Sequence, residues 1–114
     1  MATTPLTPIV FGADLTTAWQ TVYTVSTADD RIGIDAVVFN NYSATTASFS
    51  VRLVQVGTPT VLNEIITDKD IRAGRNDLAP AMIGQSIKKG GVIQVKASAN
   101  SSINANITAT VISI

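Results

Sequence analysis

The 114-residue chain has no cysteine and no histidine. The first absence removes disulfides, thiolate nucleophiles and sulfur ligation of metals. The second removes the usual general base and the commonest transition-metal ligand. Aromatic residues make up 5% of the chain and charged residues 14%, with eight Lys and Arg against eight Asp and Glu. A nucleic-acid partner would require concentrated positive charge to neutralise phosphates, and the one basic pair is Lys88-Lys89. No apolar run approaches the roughly 20 residues of a membrane-spanning helix. Met1 to Pro8 lacks the positive start and apolar core of a signal peptide, so the expectation is a soluble chain made in a cytoplasm. Neither nucleic acid nor membrane is an expected partner.

What the chain does have is alternation. Hydrophobic residues make up 46% of it, arranged largely with period 2. Ile93, Val95, Ala97 and Ala99 share one parity, with Gln94, Lys96 and Ser98 between them. After Asn100-Ser101-Ser102 the pattern resumes with Ile103, Ala105, Ile107, Ala109 and Val111, separated by Asn104, Asn106, Thr108 and Thr110. Two half-buried strands around a turn cluster predict an antiparallel hairpin. Arg31 to Asn41 reads as a strongly buried strand, with Ile32, Ile34, Ala36 and Val38 on one face and an end made apolar on both faces by Val37 and Phe39. Leu15 to Val25, Thr46 to Val56 and Val61 to Thr67 are further strands; the parity change at Val54 and Val56 predicts a bulge or a change of sheet. Asp68 to Leu78 reads as a charged loop or helical turn. Seven or eight short strands without a long helix predict an all-β, antiparallel β-sandwich. The domain occupies residues 13–114 and follows an extended arm, 1–12, whose prolines cannot nucleate a helix. Within the arm, Ile9-Val10-Phe11 is either an edge strand or a segment that docks on a partner.

No pattern in the chain carries catalysis. Asp68-Lys69-Asp70 starts with calcium-loop spacing, but Arg72 takes the next ligand position and no Glu closes the loop. Asp29 and Asp30 are adjacent, so on a strand they would point to opposite faces; the pair reads as a turn. Trp19 and Tyr23 lie four apart on one strand face, either as core anchors or as an exposed platform for sugars, and their scarcity favours the core. Asn41-Tyr42-Ser43, Asn100-Ser101-Ser102 and Asn106-Ile107-Thr108 match the glycosylation acceptor pattern, which an Asn/Ser/Thr-rich chain produces by chance. No nucleophile elbow and no base partner for a hydroxyl is present. The expectation is no enzyme, no metal and no cofactor.

The order of segments carries a resemblance: Thr17-Ala18-Trp19-Gln20-Thr21-Val22-Tyr23-Thr24-Val25, then Gly33-Ile34-Asp35-Ala36-Val37-Val38-Phe39-Asn40-Asn41, then Ala47-Ser48-Phe49-Ser50-Val51-Arg52-Leu53-Val54, and finally the Gly-turn segment Ile87 to Ser98. In this it resembles small bacteriophage virion β-sandwich proteins of the capsid decoration, or cement, type, over most of residues 15–113. Gly91 departs from the pattern, standing where relatives tend to carry an acidic residue. The resemblance implies a jelly-roll-like sandwich made in the host bacterial cytoplasm and placed on the capsid surface of the virion. Its partners would be the major capsid protein and further copies of itself as a homo-oligomer. It carries over no functional residues. A low-charge Thr/Asn surface of zero net charge suits a protein packed against other subunits. Pro8, Ile9, Val10 and Phe11 are then the candidate partner-binding residues, on an arm long enough to reach roughly 25–30 Å. The alternative function is a tail or fibre component that binds a host-surface glycan. An enzyme with an oxygen-ligated metal is a third class, disfavoured by the scattered acids.

Overall fold

The structure is a computed structural model describing residues 6–55 and 57–113. It contains nine strands among these residues: β1 (Leu6–Asp14), β2 (Gln20–Thr24), β3 (Asp29–Asn41), β4 (Ala47–Val54), β5 (Glu64–Ile71), β6 (Asn76–Asp77), β7 (Ser86–Lys88), β8 (Val92–Ala97) and β9 (Ile103–Ser113). The sole helical element described is a single 3₁₀ turn, Val61–Asn63. One sheet has the order β1-β9-β3, with β6 and β7 both pairing along the far edge of β3; the other has the order β2-β8-β4-β5. All pairings are antiparallel. The chain changes sheet at nearly every connection, and β4–β5 is the one pairing of chain neighbours. With β6 and β7 together filling one strand position, this is a jelly roll: eight positions in two four-stranded sheets, wound as paired Greek keys.

The fold corrects several expectations. First, β8 and β9 do not form a hairpin: β8 pairs with β2 and β4, β9 with β1 and β3. The Asn100-Ser101-Ser102 turn, with Ser101 at φ 53°, arches from one sheet to the other. Period 2 reports which face is buried, and two strands facing one another across a core share that pattern with two strands lying side by side. Second, β3 carries a bulge at Asp35, where its register against β9 shifts between Ile34 and Ala36. Inward parity therefore passes from Ile32 and Ile34 to Val37, Phe39 and Asn41, while Ala36 and Val38 turn out to the surface. Third, residues 6–12 are not a free arm. From Leu6 onward they form β1, paired with β9 in unbroken register, which is the edge-strand alternative for Ile9 to Phe11; residues 1–5 of the expected arm lie outside the described residues. Asp29 and Asp30 likewise open β3, and Asp68 to Ile71 belong to β5 rather than to a loop.

The core forms where the two inner faces meet. Phe39 of β3 and Phe49 of β4 stack across it with centroids 4.2 Å apart, amid Ile32, Ile34, Ile93, Val95, Ile103 and Ile107, all buried. At one flank Phe11 of β1 stacks on Tyr23 of β2, 4.7 Å between centroids, closing the gap between the sheets. At the opposite flank the Lys69 ammonium on β5 meets the Asp77 carboxylate on β6 at 2.9 Å. Gly91 has no room for a side chain: a Cβ there would lie 2.5 Å from Ile87 Cγ2 and 2.8 Å from the Val54 carbonyl oxygen. That contact accounts for glycine at the position where the resemblance expects an acid.

Asn41 is a polar residue buried in this interior. Its amide donates to the carbonyls of Ile71 (2.8 Å) and Thr45 (2.9 Å), and its Oδ1 accepts from the Ser43 N–H at 2.9 Å and the Ser43 hydroxyl at 2.7 Å. One side chain thus ties the end of β3 to the loop that follows it and to the end of β5.

Candidate interaction surfaces

Four surface features follow from this layout. The first is the edge strand β1, which contains Pro8, Ile9, Val10 and Phe11. The Leu15 N–H donates to the Ile103 carbonyl and the Tyr42 N–H to the Ser102 carbonyl. Hydrogen-bonded pairs alternate along an antiparallel ladder, so β9 bonds β1 through its odd-numbered residues and β3 through its even-numbered ones. On β1 the odd-numbered residues face β9, and Leu6, Pro8, Val10, Gly12 and Asp14 present their backbone groups to the open edge. Pro8, which has no N–H, therefore occupies an outward position where no ladder bond is lost. Ile9 and Phe11 turn inward against the core, whereas Val10 is 70% exposed.

The second feature is an apolar groove of about 280 Å³ on the outer face of the β1-containing sheet, lined by Asp35, Ala36, Val38, Leu78, Pro80 and Ile83. It exists because the Asp35 bulge turns Ala36 and Val38 outward and because the segment after β6 folds back beside them. That segment is held by the Asp77 carboxylate accepting from the Ala79 N–H at 2.7 Å and by the buried Met82. Leu78 and Ile83 stand exposed at its rim. Sequence reasoning missed this groove. The signal in the sequence is the mixed parity of Ala36 to Phe39, a strand end apolar on both faces, of which one face is the groove floor.

The third feature is Trp19, which is half-buried on the outer face of the second sheet and not in the core. The Arg52 guanidinium lies 4.2 Å and the Lys96 ammonium 4.9 Å from its ring centroid. Beside it, Arg52 Nε donates to Gln94 Oε1 at 2.6 Å, and the Gln94 amide donates to the Thr21 hydroxyl at 3.0 Å. Trp19 and Tyr23 do not share a face, because the β2 register shifts between Thr21 and Tyr23 and carries Tyr23 inward to Phe11.

The fourth feature is the 3₁₀ turn, which displays Val61 and Leu62; Leu62 is 90% exposed. Thr60 and Asn63 cap the turn reciprocally, the Thr60 N–H donating to Asn63 Oδ1 at 2.8 Å.

The acidic groups do not converge. Among the described residues no three acids come together in a way that could hold a metal ion. Asp68 sits at a β5 bulge with φ 45°, where its N–H donates to the Ser50 hydroxyl at 2.9 Å. The Asp30 carboxylate pairs with its neighbour Arg31. Tyr42 donates its hydroxyl to Asp14 Oδ1 at 2.6 Å, and that bond raises its pKa above the ordinary tyrosine value. The Tyr23 pKa is also raised, by burial first and by the Asp29 charge second. No described helix is long and apolar enough to cross a membrane.

The sequence matches no protein-family model and no curated protein. Solved structures do share the fold. A chain of the Bacillus endospore appendages, which form a novel family of disulfide-linked pili, superposes with a TM-score of 0.59 at 10% identity, over 97% of this chain and 88% of that one. A chain of infectious bursal disease virus, Gx strain, superposes with a TM-score of 0.52 at 12% identity, over 99% of this chain and 33% of the longer viral chain. At these identities the likeness is one of fold. The pilus disulfides have no counterpart in these 114 residues, which contain no cysteine.

Proposed function

We propose that this chain is a structural protein of a bacteriophage virion, decorating the capsid and stabilising it by binding between major capsid subunits. The observation that carries the reading is the match of nearly the whole jelly roll to chains of two assembled particles, an appendage pilus and a virus. A protein that binds the assembled shell and not its free subunits stabilises the shell by mass action. In the proposed arrangement the apolar groove beside β3 is the face toward the capsid, where Leu78 and Ile83 would lose water. The partner-binding role first placed on Pro8 to Phe11 is confined to the open edge of β1, since Ile9 and Phe11 already pack against the core.

A second reading, a tail or fibre component that binds host glycan, is favoured by one observation: Trp19 lies at the surface among Arg52, Gln94 and Lys96. Quantitative mass spectrometry and low-resolution imaging of purified particles separate the two readings. Many copies spread over the shell support decoration. A few copies at the tail support the glycan reading, and absence from particles overturns both.

A further inference from the structure

We propose that two copies of this chain join through β1, antiparallel about a two-fold axis at Val10, so that the β1-containing sheets become continuous across the pair. Natural sheets protect their edges with charge, bulges, proline or brevity, because an open edge templates another strand. Three of the four edges here are protected. β5 carries Glu64, Asp68, Lys69 and Asp70, and its register against β4 shifts twice. β6 and β7 are two and three residues long, interrupted by a turn. β2 has five residues and a register shift. Among the described residues β1 is the least protected: nine residues in unbroken register, with Pro8 as its one missing outward donor and Asp14 at its end as the sole charge.

Self-pairing suits this strand. Val10 is the midpoint of the described strand Leu6–Asp14, so a two-fold axis there pairs these nine residues with their copies, Val10 opposite Val10, Pro8 opposite Gly12 and Leu6 opposite Asp14. The groups on the open edge belong to these even-numbered residues, so every outward N–H meets a carbonyl of the copy. The donor that Pro8 lacks falls opposite the residue with the least bulk. The two Asp14 carboxylates lie at opposite ends of the paired strands, and a chain of net charge zero has little overall repulsion against its own copy. On the outer face Val10, exposed in the single chain, would meet its copy at the axis, and Leu6, also exposed, would lie toward each end of the paired strands. That face would then run from one groove to the other, giving the pair two equivalent grooves on one side. The inference gives a geometry to the homo-oligomer that the resemblance implies and rests, for its role on a particle, on the proposed function. It is tested on the isolated chain, so its failure leaves capsid binding to be judged separately on particles.

The test is sedimentation equilibrium of the full chain, alone and with substitutions at Val10. The native chain is expected to dimerise. Val10→Lys removes no bond to β9 yet places two ammonium groups together at the axis. Association should weaken by at least about a hundredfold, with an unchanged circular dichroism spectrum. Leu62→Lys, on a surface the proposal does not use, should dimerise like the native chain. Val10→Cys supplies a positive readout: facing residues of a hydrogen-bonded antiparallel pair have Cα atoms about 5.5 Å apart, inside the disulfide range of about 4.4–6.8 Å. With no other cysteine in the chain, mild oxidation should give one cross-linked dimer, formed faster than from Leu62→Cys. A native chain that remains monomeric at tens of micromolar overturns the proposal, as does a Val10→Lys variant that dimerises undiminished.

Discussion

Replacing Asn41 should cost this domain more than replacing any exposed polar residue, and the structure sets the size of the loss. Asn41→Ala removes the amide that serves Ile71 and Thr45 and the oxygen that serves Ser43. The Ile71 carbonyl lies in a buried part of the fold, and an orphaned acceptor there costs about 1–3 kcal/mol. The bonds to Thr45 and to the Ser43 N–H are part-buried, and losing them costs about 1 kcal/mol each. The Ser43 hydroxyl can donate to the Thr45 carbonyl instead, at 2.9 Å, so its bond adds nothing. The total is about 3–5 kcal/mol, a large share of the roughly 5–15 kcal/mol that holds a domain folded. Urea unfolding followed by Trp19 fluorescence should show the midpoint falling by about 2 M, taking a slope of about 2 kcal/mol per molar. Asn41→Asp separates hydrogen bonding from volume. The carboxylate is isosteric but confronts two carbonyl oxygens with no proton to donate, and burial raises its folded pKa above the unfolded value near 3.9. A group with a raised folded pKa contributes most below the unfolded pKa and loses that contribution as pH rises through the folded pKa. The Asn41→Asp deficit should therefore be large at pH 7 and shrink near pH 4. A loss below about 1 kcal/mol for Asn41→Ala, or an Asn41→Asp deficit independent of pH, would refute the reasoning.

Trp19→Ala should cost only about 1–2 kcal/mol, since the ring is half-buried and an exposed cation–π contact is worth about 0.5–1 kcal/mol; a loss of 3–5 kcal/mol, the cost of a core aromatic, would contradict its surface position. Gly91→Ala should destabilise by about 1–3 kcal/mol through overpacking against Ile87 and Val54, measured by thermal unfolding; an unchanged melting temperature would show that the β7–β8 turn can yield. In an alkaline titration followed by tyrosinate absorbance, both tyrosines should ionise above their ordinary value near 10. Because the folded pKa values are raised, the stability they contribute is present below pH 10 and lost as pH rises through them. Asp14→Ala should bring Tyr42 back toward the ordinary value and leave Tyr23 in place, since Tyr23 responds to burial and to Asp29; equal movement of both would place the cause elsewhere.

The alternation from Ile93 to Val111 by itself established two strands, their inward residues and the all-β class, because side-chain parity on a strand is a local property. Ile93, Val95, Ala97, Ile103, Ala105, Ile107, Ala109 and Val111 are all buried as that parity requires; Ala99, of the same parity, lies past the end of β8 in the arch between the sheets and is exposed. Partner choice is not local. Whether β8 lies beside β9 or faces it across the core depends on which strands the rest of the chain supplies, and β2, β4, β1 and β3 took the available edges. The surfaces depended on tertiary structure for the same reason. The Asp35 bulge, visible only as a register shift against β9, turned Val38 outward and opened the groove. The bulge in β2 separated Trp19 from Tyr23, leaving one on the surface and the other against Phe11. Pro8 and its neighbours stood out in the sequence as an uncharged extended segment. That β1 has one edge held by β9 and the other open was decided by where β9 lies, because a strand satisfies its backbone groups alternately on its two sides, and the sequence of one strand does not say which side is filled.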